Sequence, residues 1–225
     1  MPLEKIKYDC DVTIAITNYN RVEFLDRSIR SCLEQISTFN QKIEIIVIDD
    51  CSTDNSLEFL KNYRDKIRLY RNKKNMGVGY CSNLAVKKAK GKLFIRVDSD
   101  DYLGRLATEI MSNILRENKK ISFVYCDHIR VDRNGFKEEK VQLDSEDKLR
   151  NHGAGVMFRT EIIRDIGNYR KDLREGEDYD LIKRLHEKKH KPFYLPIPLY
   201  RYYIHEKNLS KTGDRQFYIN KINAK

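Results

Sequence analysis

Near the middle of the chain an apolar run ends abruptly in acid. Leu93, Phe94, Ile95 and Val97 are β-prone and read as a buried strand, and the strand stops at Asp98, Asp100 and Asp101. Side chains alternate along an extended backbone, so Asp98 and Asp100 point to one side and Asp101 to the other. Two carboxylates that close repel each other unless donors or a cation stand between them. A hard divalent ion suits such a pair, because it takes a few carboxylate oxygens and leaves positions for water and a ligand's phosphates. A plain strand end leading into a solvated turn would show the same residues, so the pair gains its meaning from the rest of the chain. Two further acidic pairs stand out. Asp49-Asp50 closes the apolar run Ile43 to Ile48, and Glu177-Asp178 opens a helical pattern, where the helix dipole favours the ionised form. As residues alone, Glu177-Asp178 read first as a helix cap.

The elements that must carry these groups follow from periodicity. Asp11 to Thr17 is a first strand, followed by the polar turn Asn18-Tyr19-Asn20-Arg21, in which Asn20 and Glu23 resemble a capping box. Val22 to Ile36 has helical spacing. Ile43 to Ile48 is a strand buried on both faces. A helix is expected from the cap signals at Ser52 to Asn55 through about Tyr63, and a third strand over Lys66 to Tyr70. A helix up to Ala89, stopped by Gly91, leads into the acidic strand. This repeated strand–helix order predicts a parallel sheet with right-handed crossovers, in which ligands bind beyond the carboxyl ends of the strands. Thr17 to Asn20, Asp49-Asp50 and Asp98-Asp100 all fall at that rim.

The second part reads as mixed. Gly104 to Asn118 is an amphipathic helix, and Ile121 to Cys126 and Ile129 to Val131 are strands before a hairpin turn at Arg133-Asn134-Gly135. Gly153 to Phe158 is a short strand, Thr160 caps a short helix, and Glu177 to Lys189 is helical with Tyr179, Ile182 and Leu185 or His186 inward. Phe193 to Leu195 and Leu199 to Tyr203 are late strands, and the polar tail after Lys211 is expected to be mobile.

The chain has 225 residues, 40% of them hydrophobic, which suits one domain with a substantial core. Its five cysteines are scattered, odd in number and without a C-x-x-C pair, so they read as reduced thiols in a cytosolic protein. No apolar run reaches the length of a membrane span, and MPLEKIKYDC lacks a signal-type apolar core. A net charge of +10 favours phosphorylated ligands, nucleic acid or anionic membrane surfaces. No RNP-like motif, arginine-rich tail or zinc-finger spacing supports nucleic acid, which is not expected as a partner.

Taken together, these landmarks resemble glycosyltransferase family 2, the inverting enzymes of GT-A fold. The resemblance is carried by Thr17-x-Tyr19-Asn20, Asp49-Asp50-x-Ser52-Thr53-Asp54, Asn75-x-Gly77 with Asn83, Asp98-Ser99-Asp100-Asp101, Glu177-Asp178 and Tyr200-Arg201…His205, from Val12 to about Leu209. It implies an α/β, Rossmann-like and mostly parallel central sheet flanked by helices, with a mixed second half, in a single domain over 1–225. Residues of about 9–103 would form a nucleotide-sugar half, about 104–210 an acceptor half, and 211–225 a tail. It implies Thr17, Tyr19, Asp50, Asn75 and Asp98 for the nucleotide, with Tyr19 stacking on the base and Asp50 accepting from its imide N–H. Asp49 beside it is structural or shares that role. Asp100 would hold Mg²⁺ or Mn²⁺, His205 lies where some relatives add a metal or phosphate contact, and Asp178 would be the general base.

The implied activity is transfer of a sugar from a nucleotide sugar, most simply a UDP-sugar, to a hydroxyl on a glycan or lipid-linked acceptor in surface glycan or polysaccharide synthesis. The implied place is the cytoplasm, with peripheral contact at the inner face of the membrane. The chain departs from the pattern in three ways. The arginine common before Asn83 is Ser82, so either another basic residue such as Arg96 or Lys74 meets the donor or the donor differs; the glycine common after Asp50 is Cys51; and Gly104-Arg105 stands where a proline is usual. A sugar nucleotidyltransferase would want the same sheet and metal but a glycine-rich first loop, where this chain has Thr17-Asn18-Tyr19-Asn20. A non-catalytic nucleotide- or polyanion-binding domain would leave Asp100 and Asp178 dispensable.

Overall fold

The computed structural model of the chain describes residues 8–206, 208 and 214–224. Expectations that fall on 1–7, 207, 209–213 and 225 lie outside the described residues. The first four strands are β1 (Cys10–Asn18), β2 (Ile43–Asp49), β3 (Arg68–Arg71) and β4 (Gly91–Asp98). They lie in the order β3-β2-β1-β4, all parallel. Helices α1 (Val22–Leu33), α2 (Ser56–Leu60) and α3 (Val78–Lys88) make the crossovers. The sheet continues through β5 (Tyr102–Leu103), β6 (Phe123–Val131), β7 (Lys137–Val141), β8 (Val156–Arg159) and β9 (Pro192–Tyr203), with α4 (Ala107–Glu117), α5 (Glu146–His152), α6 (Thr160–Asp165) and α7 (Glu177–Glu187) between them. The order runs on as β4-β8-β6-β9-β5, with β7 on β6. Here β8 is antiparallel to both β4 and β6, and β9 is parallel to β6.

Alternation along β1 assigns the two faces. Val12, Ile14 and Ile16 pack with Leu25, Ile29, Met111 and Leu115 of α1 and α4. Ala15 faces the opposite layer with Ala85 and Val86 of α3, Ile163 of α6 and Leu181, Ile182 and Leu185 of α7. Burying each large aliphatic side chain contributes about 1.5–3 kcal/mol, so these two seams hold the three layers together.

Several local expectations are corrected. The two strands expected around Cys126 are one, β6, and the two late strands are one, β9; the register slips at Asp127, where Pro196 and Pro198 interrupt the regular pattern of β9. Gly91 does not stop α3 but starts β4, because a Cβ there would collide with the backbone at Val12 and Thr13 of β1. Asn20 does not cap α1. It takes φ 52° and its Oδ1 accepts from Thr53 N at 2.8 Å, while Asp54 Oδ2 from the next loop accepts from Val22 N at 3.0 Å. Thr160 Oγ1 donates to Gly91 O at 2.7 Å instead of capping α6. Helix α4 begins three residues late because Tyr102 and Leu103 pair with β9 and Gly104 N donates to Leu199 O. In α7 the inward residues are Leu181, Ile182 and Leu185, with Tyr179 half-buried. Part of the tail is ordered as α8 (Arg215–Asn223), which buries Ile222. All five cysteines are free thiols.

Candidate active site

The carboxyl ends of β1, β2 and β4 open into a cleft of about 1100 Å³. Thr17, Tyr19, Asp50, Asn75, Asp98, Asp100 and Asp178 all line it, so seven of the eight residues expected from sequence meet there. The eighth, His205, stands behind Asp100, with its Nε2 2.9 Å from Asp100 Oδ2. His205 is stacked between Phe24 and Tyr203, at ring centroid distances of 5.3 and 5.0 Å.

The acidic turn after β4 separates its three carboxylates as the alternation predicts. Asp98 accepts from Thr17 Oγ1 at 3.4 Å and lies 3.4 Å from Arg96 Nε. Desolvation, with the Asp100 and Glu177 charges, pushes the Asp98 carboxyl up against the pull of Arg96. For Asp100 desolvation is opposed and outweighed: the hydrogen bond to His205 and the Arg21 guanidinium, at 3.4 Å, hold it below the ordinary range. Asp101 turns away into the protein, where it accepts from Tyr200 Oη and Tyr203 N, both at 2.9 Å.

Asp49 and Asp50 divide the work of the second strand end. Asp49 is fully buried and accepts from Asn18 Nδ2 at 3.0 Å and Ser52 N at 3.2 Å, which ties the β1 and β2 loops together. Asp50 accepts from Asn72 Nδ2 at 2.7 Å, from Met76 N on both oxygens at 2.9 and 3.1 Å, and from Gly77 N at 2.8 Å, so it shapes the loop before α3. A carboxylate has about four acceptor sites, and Asp50 still faces the cleft. Cys51, the next residue, has φ 63°, the left-handed backbone that a glycine takes without strain. Tyr19 is 43% exposed, an uncovered ring at the mouth. Asn75 Oδ1 accepts from Arg174 Nη1 at 2.9 Å.

Arg96 is the hub between the two halves. From β4 its Nη1 donates to Glu177 Oε1 at 2.7 Å and to Ser82 Oγ at 2.9 Å, and its Nη2 donates to Asp178 Oδ2 at 2.6 Å. Of the two basic residues expected to replace the missing arginine, this one reaches the site, and it touches Ser82, the position of that arginine; Lys74 is exposed on its loop. Helix α7 starts at Gly176 in the left-handed conformation with no side-chain cap, so Glu177 and Asp178 face Arg96 and not their own helix end. Desolvation pushes Asp178 well above the usual carboxylate range despite Arg96. The turn after α5 lets it in: Gly153 has φ 58°, and any Cβ there would collide with the Asp178 carboxylate.

Sequence patterns miss the cations that share this cleft, Arg21, Arg130, Arg174 and Arg215. Arg21 adjoins a recognised turn, but the others lie in stretches without a motif. The donor chemistry at Asp100 and His205, a carboxylate beside an imidazole, fits Mg²⁺ or Mn²⁺. Among the described residues no three His, Cys, Asp or Glu side chains form a preformed metal cage, so such an ion would take most of its ligands from the diphosphate and water.

Residues 13–167 match the model of Glycosyl transferase family 2. The sheet order and the cleft are those of a GT-A fold, which structural neighbours share: S. aureus TarS in complex with UDP-GlcNAc aligns with a TM-score of 0.79 at 20% identity, over 95% of this chain and 66% of that one. The mannosyltransferase PcManGT from Pyrobaculum calidifontis, in complex with GDP-Man and Mn²⁺, gives 0.69 at 17% identity, over 91% and 62%. The chain belongs to glycosyl transferase family 2. An uncharacterized glycosyltransferase of Rickettsia prowazekii is 31% identical over 185 residues, 76% of this chain and 57% of that protein. Chondroitin synthase of Escherichia coli is 33% identical over 126 residues, 55% of this chain and 18% of the synthase. The chain thus spans about a fifth to somewhat over half of the curated relatives it matches.

Proposed function

We propose that the chain transfers a sugar from a nucleotide sugar, most simply a UDP-sugar, to a hydroxyl of a glycan or lipid-linked acceptor, in one displacement that inverts the anomeric carbon. The observation that carries this is the meeting of Thr17, Asp50, Asp98 and Asp100 with Asp178 in one cleft, although they come from both halves of the chain. Residues 9–103 bind the donor: Tyr19 stacks on the base, Thr17, Asn75 and Asp98 line the nucleotide, and Asp50 accepts the base N–H from its cleft side. Asp100, with His205 behind it, holds Mg²⁺ or Mn²⁺, whose chemistry when bound is to offset charge on the departing diphosphate. Residues from 104 onward present the acceptor to Asp178. Arg96 occupies Oδ2 of that carboxylate, and Oδ1 takes the acceptor's proton as the hydroxyl attacks. Desolvation raises the affinity of this carboxylate for a proton, which strengthens it as a base for that transfer.

Thermal shift with nucleoside diphosphates, with and without Mn²⁺, tests donor binding, because a ligand of the folded state raises the midpoint by mass action. A metal-dependent rise is expected, and its absence for every nucleotide overturns the reading. No described helix is long and apolar enough to cross a membrane. The charge of +10 supports peripheral contact with anionic lipid, which low-salt sedimentation with anionic vesicles checks.

A further inference from the structure

The wall of the cleft beyond Asp178 carries groups that the scheme above leaves idle. Arg130 at the end of β6, His152 at the end of α5 and Arg215 at the start of α8 all line it, and Tyr202 of β9 stands edge-on to His152. Behind them His128 is fully buried, its ring centroid 3.8 Å from that of His152. Arg130 Nε, His152 Nδ1 and both ring nitrogens of His128 are buried and make no hydrogen bond among the described residues. A buried polar atom without a partner costs about 1–3 kcal/mol, and two of these atoms, Arg130 Nε and His152 Nδ1, belong to side chains that line the cleft, where a ligand can reach them.

The charges say what kind of ligand. Nη1 of Arg130 meets Glu139 at 2.8 Å, but their side chains are 40% and 58% exposed, and such surface pairs contribute little. Nη2 of Arg215 donates to the carbonyls of Asn151 at 2.7 Å and Arg150 at 3.4 Å, which leaves its charge in place. Arg96 is shared among Asp98, Glu177 and Asp178, and at the wall itself Arg130, Arg174 and Arg215 stand beside Glu139, Glu175 and Asp214. Burial, helped by His152 and Arg130, holds His128 down to about 3, and burial, helped by Arg130 and Arg215, holds His152 to about 4, so both rings are neutral and each still offers one N–H. Neutral donors and guanidinium groups around one space match an anion, and guanidinium forks suit carboxylate and phosphate alike.

We propose that this wall is a subsite for an acidic group on the acceptor, a carboxylate or phosphate gripped by Arg130 and Arg215 with His152 as a neutral donor between them. The proposal rests on the sugar-transfer reading, because what makes the occupant an acceptor is its place beside Asp178, onto which Gly153, the neighbour of His152, packs directly.

The test is direct binding at fixed ionic strength, with a nucleoside diphosphate and Mn²⁺ present. The probes are three oligosaccharides of equal length, one ending in glucuronate, one in a sugar phosphate and one in glucose. At least a ten-fold preference for one acidic probe over the neutral one is expected, and the preferred probe names the acidic group. Arg130→Gln/Arg215→Gln should erase the preference while nucleoside diphosphate affinity stays within two-fold, and Arg215→Lys alone should keep most of it. Equal or undetectable binding of acidic and neutral probes, or a preference that survives the double substitution, overturns the subsite. Loss of nucleoside diphosphate binding in the unaltered protein overturns the sugar-transfer reading instead.

Discussion

From β1 to β4 the site side chains stand at the ends of parallel strands that all run the same way. From β5 onward they come from helix starts, a glycine turn and one long bulged strand. In the first half a polar residue just past an apolar run must reach the rim, because every parallel strand delivers its carboxyl end there. In the second half, direction alternates, and a residue reaches the cleft only through packing: Asp178 through Arg96 and Gly153, Arg215 through the carbonyls that end α5. Strand ends make a site that strand direction alone places, whereas packed loops make one that each neighbour has to hold.

That contrast can be broken at its sharpest point. Asp178→Asn should lower turnover by about 10³-fold, in the range expected for a lost general base, and leave nucleoside diphosphate affinity within two-fold; retained turnover would refute the base. Asp100→Asn should instead strike both, cutting turnover by about 10²-fold and abolishing the Mn²⁺-dependent thermal shift, as read by scanning fluorimetry. Arg96→Ala joins the halves' fates, because it leaves Glu177 and Asp178 buried without their cation. It should cost about 3–5 kcal/mol in urea unfolding, with Lys recovering part. Gly153→Ala puts a Cβ against Asp178 at a positive φ and should cost roughly 1–2 kcal/mol, with a larger loss in kcat than in donor affinity.

The last effect concerns acid. His128 and His152 keep neutral rings down to about 3 and 4, whereas an unfolded chain protonates them near 6.5. The unfolded state therefore binds more protons in between, and their contribution to stability is lost as pH falls from about 6.5 toward 4. Asp178, raised instead of lowered, works in the opposite sense. The difference between the unaltered protein and His128→Phe isolates the imidazole part: the Phe form should lose less stability by pH 4, by about 1–3 kcal/mol in urea titrations.

How much the residues announced follows the same division. The parallel strands, the rim and the splitting of Asp98 and Asp100 from Asp101 were legible, since alternation and strand direction determine them. The helix start at Glu177-Asp178 was legible as an element, but its approach to Arg96 was not, because 81 residues separate Arg96 from Glu177. Prolines 196 and 198 split β9 on paper although a bulge carries the strand through them. Helix α8 went unread because its polar sequence lacks a strong apolar stripe; of its residues Ile222 is the buried one.

Asp101 has a mechanical consequence. By receiving Tyr203 N and Tyr200 Oη, it rivets the far end of β9 to the turn that carries Asp98 and Asp100. Any hinge that swung the two lobes apart at this joint would have to strip both donors from a buried carboxylate. The floor of the crevice is thereby tied across both parts of the chain by one buried acid.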